Sequence, residues 1–347
     1  MAREHREADA AATVLTARVD DPTGYGRIVR DEAGVLTEIT EHADADPLTL
    51  TIDEVNTSIY CFRRGLLAPA LRRLSPENSQ GEYYLTDALA VLREAGHRVT
   101  AVEVPDASET MGVNDRAQLA AAEAGLRLRI NEAWMREGVT MVDPTTTYVD
   151  VTVDLAHDVR LLPGTILEGR TVVGAHSVIG PHSRLVDTVV GSEATVTSST
   201  VLESEIGDRA TVGPYAHVRP GTRVGAGAKI GSFVETKNAE IGAGAKLPHL
   251  SYIGDADVGE GANIGAGTIT ANYDGTSKHR TRIGRGAHTG SNTVLVAPVE
   301  LGEDARTGAG AVVNRDVPPG HLAKGVPARS EPRSDPDSEP DSETKGA

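Results

Sequence analysis

The chain has 347 residues, and its 34 basic against 50 acidic side chains give a formal net charge of −16, a balance that excludes nucleic acid and anionic lipid as partners over most of the surface. A single cysteine, Cys61, cannot form an internal disulfide, the N-terminus MAREHREADA has no signal-like apolar stretch, and no apolar run nears the roughly 20 residues of a membrane span, so a cytoplasmic protein is expected. Glycine reaches 37 residues beside two Phe and one Trp; regular backbone packing must replace aromatic volume, and the length favours two units plus a tail.

In chain order, residues 13–116 read as an α/β unit. VLTARV and GRIV have the composition of short strands, TDALAVLREAG that of a helix starting at Thr86 or Asp87, and HRVTAVEV that of another strand. Residues 117–137 then place Leu119, Ala122, Leu126, Ile130 and Trp134 at helical spacing, which predicts one amphipathic linker helix.

The second half is a repeat. From Ile206 the aliphatic position returns every six residues at Val212, Val218, Val224 and Ile230, and a second run takes Ile283, Thr289, Leu295, Leu301, Thr307 and Val313. Glycine follows many of these positions, as in Ile206-Gly207, Val224-Gly225, Ile264-Gly265 and Leu301-Gly302. A period of six fits neither a helix nor simple alternation, but it suits a short strand plus a turn repeated around a prism, three steps to a coil. The aliphatic side chain then points inward and stacks on its counterpart one coil later. The phase slips near 236–241, 253–258 and 270–283 are expected to be altered turns or loops, the longest being ANYDGTSKHRTR. Beyond about residue 328 the segment SEPRSDPDSEPDSETKGA is rich in Pro, Ser and acid and reads as disordered. The boundaries expected are 1–116 for the α/β domain, 117–140 for the linker helix, 141–328 for the β-helix and 329–347 for the tail.

Several segments carry a family resemblance: DDPTGYGRIVR, GEYYLTD and MGVNDR in the first half, then SFVETKNAEIGAGAKLPHLSYIGDADVGEGANIGAGTITANYDGTSKHRTRIG in the second. Together they resemble the bifunctional N-acetylglucosamine-1-phosphate uridylyltransferase / glucosamine-1-phosphate N-acetyltransferase family, over about residues 14–327. The resemblance implies a partial, Rossmann-like nucleotidyltransferase domain followed by a left-handed parallel β-helix, and a homotrimer with sites between subunits. It implies acetyl transfer from acetyl-CoA to glucosamine 1-phosphate, on the way to UDP-N-acetylglucosamine and the bacterial cell wall. In the family the nucleotidyltransferase domain opens with a Gly-rich phosphate loop and then an Mg²⁺-binding aspartate. Residues 1–30 contain neither, so uridylyl transfer by this chain alone is expected to be absent or impaired, with Mg²⁺ bound only if that site is completed.

The site residues follow from the resemblance position by position. His249 in LPHLSY is the expected base, an imidazole being the side chain whose ordinary pKa lies nearest neutral. Arg219, Lys237 and Lys278 are the expected phosphate cations, and Tyr252 and Asn263 orient the sugar. Acetyl-CoA is expected along Ala266, Ser291 and Ala309, where small side chains let the pantetheine arm approach the backbone, with Asn272 and Tyr273 of the ANYDG loop completing the pocket. Ser291 and Ala309 lie 18 residues apart, one full coil. At AKGVPAR the chain has Gly325 where the family places an arginine on the CoA phosphates; Lys324 and Arg329 are the candidate replacements. Gly26, Glu41 and Asn56 would contact a sugar nucleotide, and Asn114 would be the one Mg²⁺ ligand left. Two other classes compete: a non-catalytic trimeric scaffold, and a γ-carbonic-anhydrase-like zinc enzyme drawing on His217, His249, His279 and His288.

Overall fold

The computed structural model describes residues 1–113 and 115–332. It divides into two compact units, Met1–Gly125 and Leu126–Ala347, with the division falling inside one helix, Arg116–Arg136.

The first unit is a five-stranded mixed sheet in the order Leu36–Thr40, Arg27–Arg30, Glu54–Phe62, Ala12–Arg18, Val99–Glu103. Only the pairing of Ala12–Arg18 with Val99–Glu103 is parallel; its pairing with Glu54–Phe62 is antiparallel, so the sheet of this partial domain is mixed. The predicted strands and the Asp87–Glu94 helix are present within two residues of their expected ends. Glu54–Phe62, central in the sheet, was not read from the sequence. Helix Asp87–Glu94 buries Ala88, Leu89 and Leu92 against Val14, Ile28, Ile39 and Val99, which form the core of this unit.

The second unit is a parallel β-helix. Strands of two to seven residues pair one coil apart, as in Leu161↔Ile179, Val212↔Ile230, Thr270↔Leu295 and Ile283↔Leu301. Every position of the two six-residue runs is buried, the aliphatic ones at 0–3% exposure and Thr289 and Thr307 at 5% and 6%. The threonines tolerate this because Thr268 shares a 2.8 Å hydrogen bond with Thr289, and Thr293 a 2.7 Å bond with Thr307. Within the expected 141–328 range the same six-residue step also runs ahead of Ile206: Leu155, Leu161, Leu167, Val173, Ile179 and Leu185 are spaced by six and are buried at 0–5%.

The phase slips have a structural cause. Thr236 to Ile241 and Ile253 to Val258 are steps of five, and at each the strand bends around the corner of the prism through one residue in the left-handed region, Asn238 and Asp255, both at φ 46°. Asx residues tolerate that conformation because their short polar side chains bond locally. The slip after Thr270 is the loop between strands Ile269–Ala271 and Thr281–Ile283.

Two expectations change. The linker helix is not apolar along one stripe: Leu119 and Leu126 are 46% and 59% exposed, and only Ile130, Trp134 and Met135 in its last turns pack on the β-helix core. Its one buried side chain is polar; the Asn131 amide donates at 2.9 Å to the carbonyls of Pro144 and Thr147 and ties the helix end to the first coil. The tail was expected from 329, yet Ala328–Pro332 forms a strand antiparallel to His321–Gly325. Gly325 at φ 95° makes the turn, and once that hairpin closes, its backbone groups are paired whatever the side-chain composition. Residues 333–347 lie outside the described residues. Among the described residues no helix is long and apolar enough to cross a membrane.

Candidate functional site

Two corners of the prism collect the predicted residues of the second unit. The first follows Lys246–His249 and its counterparts in the neighbouring coils. His249 pairs in register with Ser232, and the bridges Lys246↔Asn263, Asn263↔His288 and His288↔Arg306 carry the same register onward. Counting three residues on from each bridge puts His249, Ala266, Ser291 and Ala309 in one column on successive coils. The Asn292 amide donates to the Ala266 carbonyl at 2.7 Å and that of Gly310 to the Ser291 carbonyl at 2.8 Å, which locks the column. Gly290 and Gly308 beside it leave the backbone bare, and a Cβ on Gly290 would meet the Ala309 amide nitrogen at 2.6 Å. His249 is exposed, and its ring has no hydrogen-bond partner among the described residues. The column ends at the C-terminal hairpin, where the Gly308 amide donates to the Ala323 carbonyl at 2.8 Å and Lys324 lies next, its ammonium paired with Glu331.

The second corner lies where the steps of five bend. The Arg219 amide donates to the Thr236 carbonyl at 2.9 Å, and Lys237 pairs with Gly254, so Arg219 and Lys237 stand one above the other. Lys278 reaches them from the 272–280 loop: the Lys278 ammonium beside Lys237 holds the Lys237 ammonium below the ordinary lysine range, Arg219 adds to the repulsion, and Asp255 opposes it. The three cations are thus crowded at one corner, and Arg219 is also held by Glu235 at 2.7 Å. The phenol of Tyr252 lies against the bare Cα of Gly254, where any Cβ would collide with it.

The acidic and amide side chains at this corner brace the loop. The Asp255 carboxylate, 8% exposed, accepts from Asn238 Nδ2 at 2.7 Å and from Asn272 Nδ2. Arg280 binds both oxygens of Asp257 and donates to the Asn238 carbonyl at 3.1 Å. Asp274 accepts from the amides of Thr276 and Ser277 at 2.8 and 2.7 Å and pairs with His279 at 2.7 Å. The Ser277 amide, then His279 and the Thr276 amide, hold its carboxyl far below the ordinary carboxylate range. Sequence reasoning missed Asn238, Asp255, Asp257 and Arg280. A signal was present: Asn238, Asp255 and Asn272 are spaced by 17, one coil each.

The structure therefore sorts the predicted residues into two sets. His249, Ala266, Ser291 and Ala309 share one column, with Asn263 on the adjoining face between Lys246 and His288. Arg219, Lys237, Tyr252, Asn272 and Lys278 share the other corner, and Tyr273, 60% exposed, lies on the loop beside them, bridged to Lys278. Asn272 and Tyr273 are thus grouped with the cations and not with the small residues of the column. His217, His249, His279 and His288 lie on different strands and loops, and among the described residues they form no metal-binding group.

In the first unit Gly26, Glu41 and Asn56 come together. The Asn56 amide donates to the Gly26 carbonyl at 2.8 Å, and a Cβ on Gly26 would lie 3.2 and 3.3 Å from the Glu41 carboxylate oxygens. Burial, with Asp87 and Asp44 nearby, pushes the Glu41 carboxyl above its ordinary range although Thr86 donates to it at 3.3 Å. Asn56 Oδ1 accepts from the Tyr60 hydroxyl and the Ser58 amide, both at 3.0 Å, and burial pushes the Tyr60 phenol up to about 12. Arg27, also missed, is 1% exposed beside this group, with its Nε unpartnered. Asn114 lies outside the described residues. Mg²⁺ prefers several oxygen ligands, and among the described residues the first unit offers no group of three metal-ligating side chains.

Comparison with known proteins agrees with this division. Residues 1–135 match the nucleotidyl transferase family model, and residues 203–238 match the bacterial transferase hexapeptide model of six repeats. The bifunctional protein GlmU of Thermobifida fusca is 54% identical over 92% of this chain and 66% of its own length. That of Pseudarthrobacter chlorophenolicus is 54% identical over 95% of this chain and 67% of its own, and that of Brevibacillus brevis 51% identical over 92% and 69%. The chain thus spans about two thirds of the length of these relatives. At such identity and coverage the chain belongs to the bifunctional GlmU protein family.

Proposed function

We propose that the β-helix unit transfers an acetyl group from acetyl-CoA to the amine of glucosamine 1-phosphate, giving N-acetylglucosamine 1-phosphate and free CoA. The observation that carries this reading is the crowding of Arg219, Lys237 and Lys278, which lowers the Lys237 ammonium and is relieved by a dianionic phosphate. The pantetheine arm runs along Ala266, Ser291 and Ala309, and Lys324 at the end of that column supplies a cation for the CoA phosphates where the family's arginine is replaced by Gly325. His249 Nε2 or Nδ1 takes the proton from the substrate nitrogen as that nitrogen attacks the thioester carbonyl. Collapse of the tetrahedral intermediate breaks the carbon–sulfur bond, and the proton held on the imidazole passes to the departing thiolate. Asn263 and Tyr252 orient the sugar, and Asn272 and Tyr273 close the pocket from the cation side.

The imidazole and the cations stand on different corners of one chain, so a working site takes its column from one subunit and its cations from a neighbour in a homotrimer. In the first unit Gly26, Glu41 and Asn56 are proposed as contacts to a UDP-sugar. A cytoplasmic location fits substrates of this kind.

The test is thiol release from acetyl-CoA with glucosamine 1-phosphate, on the wild-type chain and on His249→Ala. Loss of a general base costs about 10²–10⁴ in kcat. If the wild type releases CoA no faster than the variant, the proposal fails and a scaffold role replaces it.

A further inference from the structure

The turn that follows Leu155 is in register, coil by coil, with the one that follows Ile241, so it stands on a third corner of the β-helix, and that corner carries a second constellation. The turn between strands Asp154–Leu155 and Arg160–Leu161 presents His157 and Asp158, and the equivalent turn one coil on, between Val172–Val173 and Val178–Ile179, presents His176. Register fixes their meeting: Leu155 pairs with Val173, so Asp158 and His176, 18 residues apart, occupy the same place on successive coils. The two imidazoles lie edge to face with centroids 5.3 Å apart, and both direct Nδ1 at one carboxylate oxygen: Asp158 Oδ2 is 2.9 Å from His157 and 3.8 Å from His176. All three ligand atoms lie within 4.8 Å of one another.

We propose that His157, Asp158 and His176 bind one divalent cation of the zinc class. A tetrahedral ion with bonds of 2.0–2.1 Å to nitrogen and oxygen places its ligand atoms roughly 3.3 Å apart, midway between the two observed nitrogen–oxygen separations. Two imidazoles and one carboxylate suit Zn²⁺, Co²⁺, Ni²⁺ or Cu²⁺, whereas Mg²⁺ and Ca²⁺ favour all-oxygen sets. All three side chains are exposed, which leaves an entry path and a fourth position for water. The bound ion would clip two successive coils near the start of the β-helix through two metal–nitrogen bonds and one metal–oxygen bond.

Equilibrium dialysis and calorimetry with ZnCl₂ on the untagged full chain test this, with Co²⁺ absorption as a report of coordination geometry. The expected result is one ion per chain with a tetrahedral Co²⁺ spectrum, unaffected by MgCl₂. His157→Ala and His176→Ala should each weaken binding at least about tenfold, with His97→Ala as the unaffected control and circular dichroism to show that the variants fold. Absence of saturable binding by the wild type, or wild-type affinity in either of the two histidine variants, overturns the proposal. The readout is metal content, so it succeeds or fails independently of acetyl transfer.

Discussion

Glu41 and Lys237 are each pushed away from their ordinary ionisation by their surroundings, one by burial and one by like charge. Such shifts mark places where the fold holds a charge at a cost that a ligand can relieve. For Glu41 the consequence is measurable without a ligand. Its folded-state pKa is raised, so the ionised carboxylate disfavours folding of the first unit. That penalty appears as pH rises through the unfolded value of about 4.3 and is complete above the folded pKa. Glu41→Gln, which keeps the shape and removes the charge, should therefore raise the melting temperature of the first unit at pH 7.5 and leave it unchanged at pH 3.5. An equal rise at both pH values would show that the gain comes from packing or the Thr86 contact and not from charge.

The six-residue step decides stability at the level of the element. Each inward position stacks on those one coil above and below, so a hole is shared by three coils and cannot be closed by moving one strand. Leu295, fully buried between Thr270 and Val313, is such a position. Leu295→Ala should cost about 2–5 kcal/mol, read as a fall in the denaturation midpoint of the β-helix. Leu126→Ala on the exposed part of the linker helix should cost under about 0.5 kcal/mol. The same step made much of this architecture legible beforehand. Val212, Val218 and Ile230 recur at a period that only stacked coils use, and the phase slips marked the corners where Asn238 and Asp255 turn. What stayed hidden had no periodic signature. Glu54–Phe62 became a central strand through pairing with Ala12–Arg18, from Arg18↔Glu54 to Ala12↔Phe62, far apart in sequence. The Asp257–Arg280 brace joins positions 23 apart across a loop, which no local pattern reports. The helix spacing from Leu119 to Trp134 was real, but whether a stripe is buried depends on what lies against it.

For the whole molecule the decisive feature is that one chain displays its imidazole and its cations on different corners of a triangular prism. Lys237 stands on strand Glu235–Ile241 and His249 on strand Lys246–His249, which belong to different sheets of the prism, so on the proposed reading neither corner alone holds every group that acetyl transfer requires. Two inactive chains should then repair one another. In a trimer assembled at random from equal amounts of His249→Ala and Lys237→Ala chains, a site works when its imidazole comes from the second variant and its cations from the first. Each condition holds half the time, so co-refolded or co-expressed mixtures should recover about a quarter of the wild-type rate although each variant alone is nearly inactive. Mixing the two after assembly should recover nothing until subunits exchange, because the repair requires both variants within one trimer. If co-assembled mixtures stay as inactive as the separate variants while native mass spectrometry shows mixed trimers, the imidazole and cations must act within one chain, and the shared-site reading is wrong.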